Sequence, residues 1–344
     1  MVPHPSERKT SRALLRRLTL DVLGRTPSQA EFGSYLDAPV EVVVPRLVMS
    51  LEAMQVFVEE ELFYFLLLDN FRPKTESIVA LPKRLAEGKA TAHDALTEIL
   101  LSTGFSLRNP GNDTFVTVVL EQCLAMTVQD AKNKPALVAG KQLYDGKKGR
   151  FLGQEGESQA DVVRIVVGHE SFTRCLLERH HKRLFATPLG EADKDAVARV
   201  HADRRAFFTL VGEWLASDAY VAGLAQKRAK TDHQFIRGLY MDLLGRTPAY
   251  DELRNMRNAL QAMAEPAPLR AVVAKVILDS EKAKVPQLEA GKVLEFVEEC
   301  FVRYLGRAPG QTEGPAFVKA LQEGAVTPVH VVRALVGSVE YQYY

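Results

Sequence analysis

The sequence predicts an all-α protein, an array of imperfect helical repeat units of about 58 residues with one loop-rich insertion. Three observations predict it. A short phrase recurs at joints between helices, a second phrase closes each unit, and apolar residues between them follow helical rather than strand spacing.

The joint phrase is Leu20-Asp21-Val22-Leu23-Gly24-Arg25-Thr26-Pro27. It returns as Met241-Asp242-Leu243-Leu244-Gly245-Arg246-Thr247-Pro248 and as Arg303-Tyr304-Leu305-Gly306-Arg307-Ala308-Pro309. A degraded copy reads Arg183-Leu184-Phe185-Ala186-Thr187-Pro188. Before the joint, Leu14, Leu15, Leu18 and Leu23, or Phe235, Ile236, Leu239 and Leu243, recur at helical spacing. Gly24, Gly245 and Gly306 stand where a helix stops, because glycine enters the left-handed region without steric cost. Thr26-Pro27 and Thr247-Pro248 are expected to restart a helix, with Thr as cap, Pro in the first turn and Gln29 completing a capping box.

The closing phrase runs from Asp161 to Phe172 and matches His330 to Tyr341; looser versions end at Ser50, Ser102, Ser217 and Ser280. Successive closing positions (50, 102, 169, 217, 280, 338) average about 58 residues apart, so six imperfect units span nearly the whole chain. The expected division is an N-terminal arm (1–10), two helical units (11–105), a degenerate unit with a loop-rich insertion (106–175) and three helical units (176–344). The insertion is least repeat-like over 106–158, where Asn109 to Asp113 and Gly146 to Arg150 are turn-rich. Thr114 to Leu120 reads either as strand or as helix. Val56-Phe57-Val58 and Leu62 to Leu68 read as a buried helix, otherwise as a partner interface.

Composition sets outer limits. Of 344 residues 47% are hydrophobic and 25% charged, the balance of a globular chain rather than a disordered one. The net charge of +1 gives no overall field toward nucleic acid or anionic lipid. The longest apolar run, Leu62 to Leu68, is far short of the ~20 residues of a membrane helix, so no transmembrane segment is expected. Cys123, Cys175 and Cys300 are too scattered for a disulfide framework or a zinc site. Met1 to Pro5 lacks the apolar stretch of a signal peptide, so the chain as given reads as cytoplasmic.

Leu243 to Pro248, followed by Val276-Ile277-Leu278-Asp279-Ser280-Glu281, resembles the "LYRDLLGR-x-P … FL-x-S-x-EF" helical repeat. That repeat is a domain of unknown function in bacterial surface and secreted proteins, related in pattern to the phycobilisome linker domain. Arg16 to Pro27 is similar to the opening of domains found beside c-type cytochromes in planctomycete-like bacteria. The resemblance implies a helical interaction module with a scaffold or linker role, exported to the cell envelope if a leader was removed. Leu137 to Gly146 is similar to the run before a haem site, but Cys-x-x-Cys-His occurs nowhere, so covalent haem is not expected.

The candidate chemistry is sparse. His169, Glu170, Cys175, His180 and His181 form the densest titratable group. They lack His-Glu-x-x-His spacing and read as solvated or capping positions, the rival being a metal or catalytic centre. Arg25, Arg246 and Arg307 read as pairing within their own units or satisfying last-turn carbonyls, the rival being a cationic row for an acidic partner. Lys132, Lys134, Lys141, Lys147, Lys148 and Arg150, with Phe151 for stacking, read as a solvated loop rather than a phosphate-binding one. Arg179 to Arg183 is a second basic cluster with the same reading. The three cysteines and Trp214, with Leu215 and Tyr220, read as packing residues. Tyr341-Gln342-Tyr343-Tyr344 is expected to anchor a partner, its deletion weakening association without unfolding the protein. No catalytic, cofactor or metal residue is assigned. The expected function is a non-enzymatic scaffold or linker that mediates protein–protein or self-assembly. The alternatives are a hydrolytic or redox enzyme with a site in 106–181, and nucleic-acid binding through the Lys-rich loop.

Overall fold

A computed structural model describes residues 8–67 and 73–344, apart from the side chain of Ala192. Among them helix predominates, at 68%, and the strands form a single two-stranded sheet, which makes the chain all-α. The first helices are α1 (Arg12–Leu23), α2 (Gln29–Tyr35) and α3 (Val40–Val48). There follow α4 (Leu51–Leu66), α5 (Glu76–Val79), α6 (Leu81–Ala86), α7 (Ala92–Leu100), α8 (Thr103–Arg108) and α9 (Gly111–Leu124). Helix α10 (Lys134–Tyr144) leads into the antiparallel hairpin of β1 (Gly149–Phe151) and β2 (Gln154–Gly156). Next come α11 (Gln159–Val167), α12 (Glu170–Phe185), α13 (Lys194–Ala202), α14 (Ala206–Ala216) and α15 (Asp218–Ala222). The last are α16 (Asp232–Leu244), α17 (Tyr250–Gln261), α18 (Pro266–Leu278), α19 (Val293–Leu305), α20 (Glu313–Gln322) and α21 (Pro328–Val336).

Six of these helices end directly on a left-handed residue: Gly24, Leu67, Ala125, Ala186, Gly245 and Gly306. From Leu67 onward they are 58 to 61 residues apart. Glycine takes that conformation freely, whereas Leu67, Ala125 and Ala186 take it at a steric cost. The helix after the first joint is capped by Ser28 rather than Thr26. The Ser28 hydroxyl accepts from the Glu31 amide at 3.2 Å, and the Glu31 carboxylate accepts from the Ser28 amide at 2.7 Å. Pro27 thus lies outside the helix, and Thr26 is free to turn inward.

The serines expected to close each segment act as hinges between helices. The hydroxyls of Ser102, Ser217 and Ser338 each donate to the carbonyl three residues back and accept the amide three residues on. His169 caps α12 in the corresponding place, its Nδ1 accepting from the Ser171 amide at 3.1 Å.

The chain folds as two compact bodies, one made of Met1–Leu47 with Val221–Tyr344 and the other of Val48–Tyr220. The first body is discontinuous because α1 finds its partners in the last third of the chain. In the first body α1, α19 and α16 are joined in a cycle, each donating to a carbonyl of the next. Arg16 of α1 donates to the carbonyls of Arg303 and Tyr304 on α19 at 2.9 and 2.8 Å. Arg303 donates to the Asp242 carbonyl on α16 at 3.0 Å, and Gln234 of α16 donates to the Leu20 carbonyl on α1 at 3.0 Å. Phe235, Leu239, Phe296, Val297, Phe301, Val332 and Tyr341 fill the core packed on α16 and α19. Residues 1–7 of the expected arm lie outside the described residues. Arg8 and Thr10 are tied down, Thr10 donating to the Ala38 carbonyl at 2.8 Å and Arg8 accepting from the Val40 amide at 3.0 Å.

In the second body α4, α9 and α12 meet. Phe65, Phe105 and Phe115 pack edge to face through its core. The apolar stretch of α4 is buried at Val56, Phe57, Val58, Leu62, Phe65 and Leu66, while Phe63 and Leu67 are exposed and Leu68 lies outside the described residues. The expected loop-rich insertion is instead largely helical. Thr114 to Leu120 lies inside α9, because Phe115, Val116, Val119, Leu120 and Cys123 share one buried helical face that overrides their β-branched character. The hairpin is pinned by the fully buried Phe151 against Gly140 of α10, where a Cβ would stand 3.2 Å from the Phe151 ring and 2.6 Å from Val116.

Candidate functional site

The arginines that follow the joint glycines build one arrangement three times. Arg25 donates to the Thr26 carbonyl at 3.0 Å and to both oxygens of Glu31 at 2.7 and 2.9 Å. Arg246 repeats this with Thr247 at 3.0 Å and Glu252 at 2.8 Å, and Arg307 with Ala308 at 3.1 Å and Glu313 at 2.9 and 3.2 Å. Each glutamate also accepts the backbone amide three residues before it, from Ser28, Ala249 or Gly310. The fork geometry of guanidinium suits such bidentate pairing. The hydrogen bond from Arg246 is the largest influence that brings the Glu252 carboxyl down to about 2. Burial alone would raise Glu31, but Arg25 and the Ser28 amide and hydroxyl together outweigh it and the net shift is downward. At Ala186 the arginine is missing and Thr187 stands in its place; Asp193 still accepts the Gly190 amide at 2.7 Å.

The titratable group of α12 does not converge. His169 and His180 are eleven residues apart on one helix, roughly 16 Å along its axis, too far for one metal ion. His180 turns inward, its Nε2 at 3.2 Å from Glu61, while Arg179 donates to the other Glu61 oxygen at 2.7 Å and lies 4.3 Å over the Tyr64 ring. Burial pushes Glu61 upward, and Arg179 and His180 together overcome it and bring its pKa to about 2. His181 points elsewhere, its Nδ1 at 2.9 Å from the Thr187 carbonyl and its ring edge on Trp214. The Arg179 to Arg183 cluster is therefore partly an internal ion-pair network, with Arg183 paired to Glu60. Glu61 carries no sequence motif; it is the last of three glutamates, Glu59 to Glu61, between the two apolar stretches of α4, and it alone of the three is buried. Among the described residues no group of three or more His, Cys, Asp or Glu is placed to hold a metal ion.

Burial pushes the thiols of Cys123 and Cys300 up to about 12, and that of Cys175 upward, which keeps them protonated packing groups. Phe151, expected to be available for stacking, is buried under its hairpin. Lys132, Lys134, Lys147, Lys148 and Arg150 are exposed, and Lys141 pairs with Asp113 at 2.7 Å. Trp214 packs with its neighbours as expected.

The aromatic run 341–344 is not a free anchor. Tyr341 is fully buried and donates to the Asp242 carboxylate at 2.8 Å, whose other oxygen meets the Thr26 hydroxyl at 2.9 Å. Tyr344 donates to Asp21 at 2.7 Å beneath the Arg17 guanidinium. Burial, then Asp242, raises Tyr341 well above its ordinary pKa; burial, then Asp21, raises Tyr344 to about 12. The segment pairs its backbone with Arg228 and Lys230, and Lys230, itself buried, donates to the Tyr341 carbonyl at 2.6 Å. The two aspartates of the joint phrase thus hold the two tyrosines, and only Tyr343 is exposed.

Comparison with known proteins finds no matching family model, no matching curated protein and no matching solved structure. No helix among the described residues is long and apolar enough to cross a membrane.

Proposed function

We propose that this protein is a non-enzymatic scaffold or linker that mediates protein–protein or self-assembly, built from six imperfect units of three helices, or four in the second. One observation carries the reading. The polar residues that recur along the chain are consumed in making the same joint again and again, as in a modular structural protein. The units would open with α1, α4, α9, α12, α16 and α19, turn at the six left-handed residues, and close with α3, α7, α11, α14, α18 and α21. Units one, five and six would then share the first body, and units two, three and four the second. The resemblance of the joint and closing phrases to the "LYRDLLGR" repeat supports the same reading, since modular helical arrays are used largely for binding other proteins.

The test is the native mass of the purified full chain by light scattering across a concentration series, with recovery of tagged chain from its source cells and identification of what accompanies it. Stoichiometric association with itself or another protein is expected. A monomer at every concentration that recovers no stoichiometric partner overturns the proposal.

A further inference from the structure

A chain of side chains in the second body, separate from every motif the sequence singles out, links a half-exposed histidine to a buried one. His93 Nε2 of α7 lies 3.1 Å from the Thr173 hydroxyl of α12, and that hydroxyl lies 3.3 Å from His201 Nδ1 of α13. Thr173 is fully buried and His93 nearly so. His93 Nδ1 is buried and has no hydrogen-bond partner. The Phe172 ring packs on His93, and the charged groups facing it are Arg204 from the segment after α13, Asp94 of its own helix, and His201.

We propose that His93, Thr173 and His201 form a proton-operated switch, in which charging His201 reverses the hydrogen-bond chain and forces His93 to change tautomer. The hydroxyl has one hydrogen and bonds to two ring nitrogens, so it donates to one and accepts from the other. With both rings neutral, the favoured arrangement has His93 donating from Nε2–H and Thr173 donating to His201 Nδ1. It leaves a bare lone pair, rather than an N–H, at the orphaned His93 Nδ1; an unmet buried donor is the rarer and costlier of the two. When His201 takes a proton from solvent, its Nδ1 becomes a donor. The hydroxyl hydrogen must then turn to His93 Nε2, which releases its own proton, while Nδ1 takes one up. The charge on His93 is unchanged, and its new N–H faces no acceptor. Burial, and then Arg204, hold the His93 pKa down to about 4, so the ring answers by changing tautomer rather than by charging. The cost falls on the contact of α13 with α7 and α12.

Long-range proton–nitrogen NMR of histidine rings in the full-length protein reads each tautomer directly. From pH 8 downward, His93 should pass from Nε2–H to Nδ1–H with the midpoint of His201, and amide protection factors over 194–202 should fall about tenfold or more with it. Thr173→Val should uncouple the two rings, and Thr173→Ser should keep them coupled. If the valine variant fails to fold, the wild-type spectra with Thr173→Ser still decide. A His93 that holds one tautomer while His201 titrates, or a folded valine variant in which it still follows His201, overturns the proposal.

Discussion

Arg25 and Arg246 make the same contacts in different surroundings, and the surroundings set what each is worth. The Arg25–Glu31 side chains are 6% and 17% exposed, and those of Arg246–Glu252 are 42% and 36%. Removing one partner of a buried charge pair strands the other, whereas an exposed pair is screened and contributes little. Arg25→Ala should therefore cost about 2–3 kcal/mol, and Arg246→Ala less than about 1 kcal/mol. Urea unfolding of both variants at pH 7 checks this, and equal losses would show that burial does not grade the joints. The sequence makes the arginines legible as internal partners, because an Arg with a glutamate six residues on lies within one helix–turn–helix. Glu61 is not legible in that way. Its partners Arg179 and His180 are more than a hundred residues distant, and no local pattern encodes a meeting of α4 with α12.

Helix ends were the most readable elements, since Gly24, Gly245, Gly306 and the closing serines solve a local problem with their own atoms. Leu67 and Ala125 adopt the same left-handed turn without any residue that announces it, so only tertiary packing reveals them. The cap at Ser28 is hidden in the sequence for a related reason. Thr26 is an equally good capping residue by type, and only its bond to Asp242 takes it out of contention. The turn itself is testable with substitutions of opposite sign. Gly245 has φ of 67° and Ala186 has φ of 59°, so Gly245→Ala adds the left-handed penalty that Ala186→Gly relieves. The first should lower stability by about 1 kcal/mol and the second should raise it by about 0.5–1 kcal/mol. Shifts of the urea midpoint in the same direction would show that something other than backbone strain controls these joints.

At the scale of the molecule, local pattern yields the class of fold and says nothing of which helices meet. The first body joins α1 to residues more than two hundred positions later, and the 341–344 segment bridges them through Asp21 and Asp242. Deleting 341–344 should therefore destabilise the first body by about 3 kcal/mol or more, the scale of losing a buried aromatic, as measured by urea unfolding. A deletion that changes association alone would restore the anchor reading. Acid should act on both bodies at once. His93 in the second and His233 in the first are each held down to about 4 from 6.5, by burial first and then by Arg204 and Arg237 respectively. Below pH 6.5 the unfolded chain takes up protons that the folded chain refuses, so stability falls with pH and the loss levels off below about 4. For His93 the full drop is on the order of 3 kcal/mol. Carboxylates such as Glu61, with its pKa near 2, stabilise fully above about 4.5 and lose that contribution progressively between about 4.5 and 2, so they do not produce the slope between 6.5 and 4.5. The urea midpoint should therefore decline from pH 7 to 4, and His93→Gln, which cannot be charged there, should flatten the decline. A glutamine variant that keeps the full wild-type slope would place the acid sensitivity elsewhere than in the buried ring.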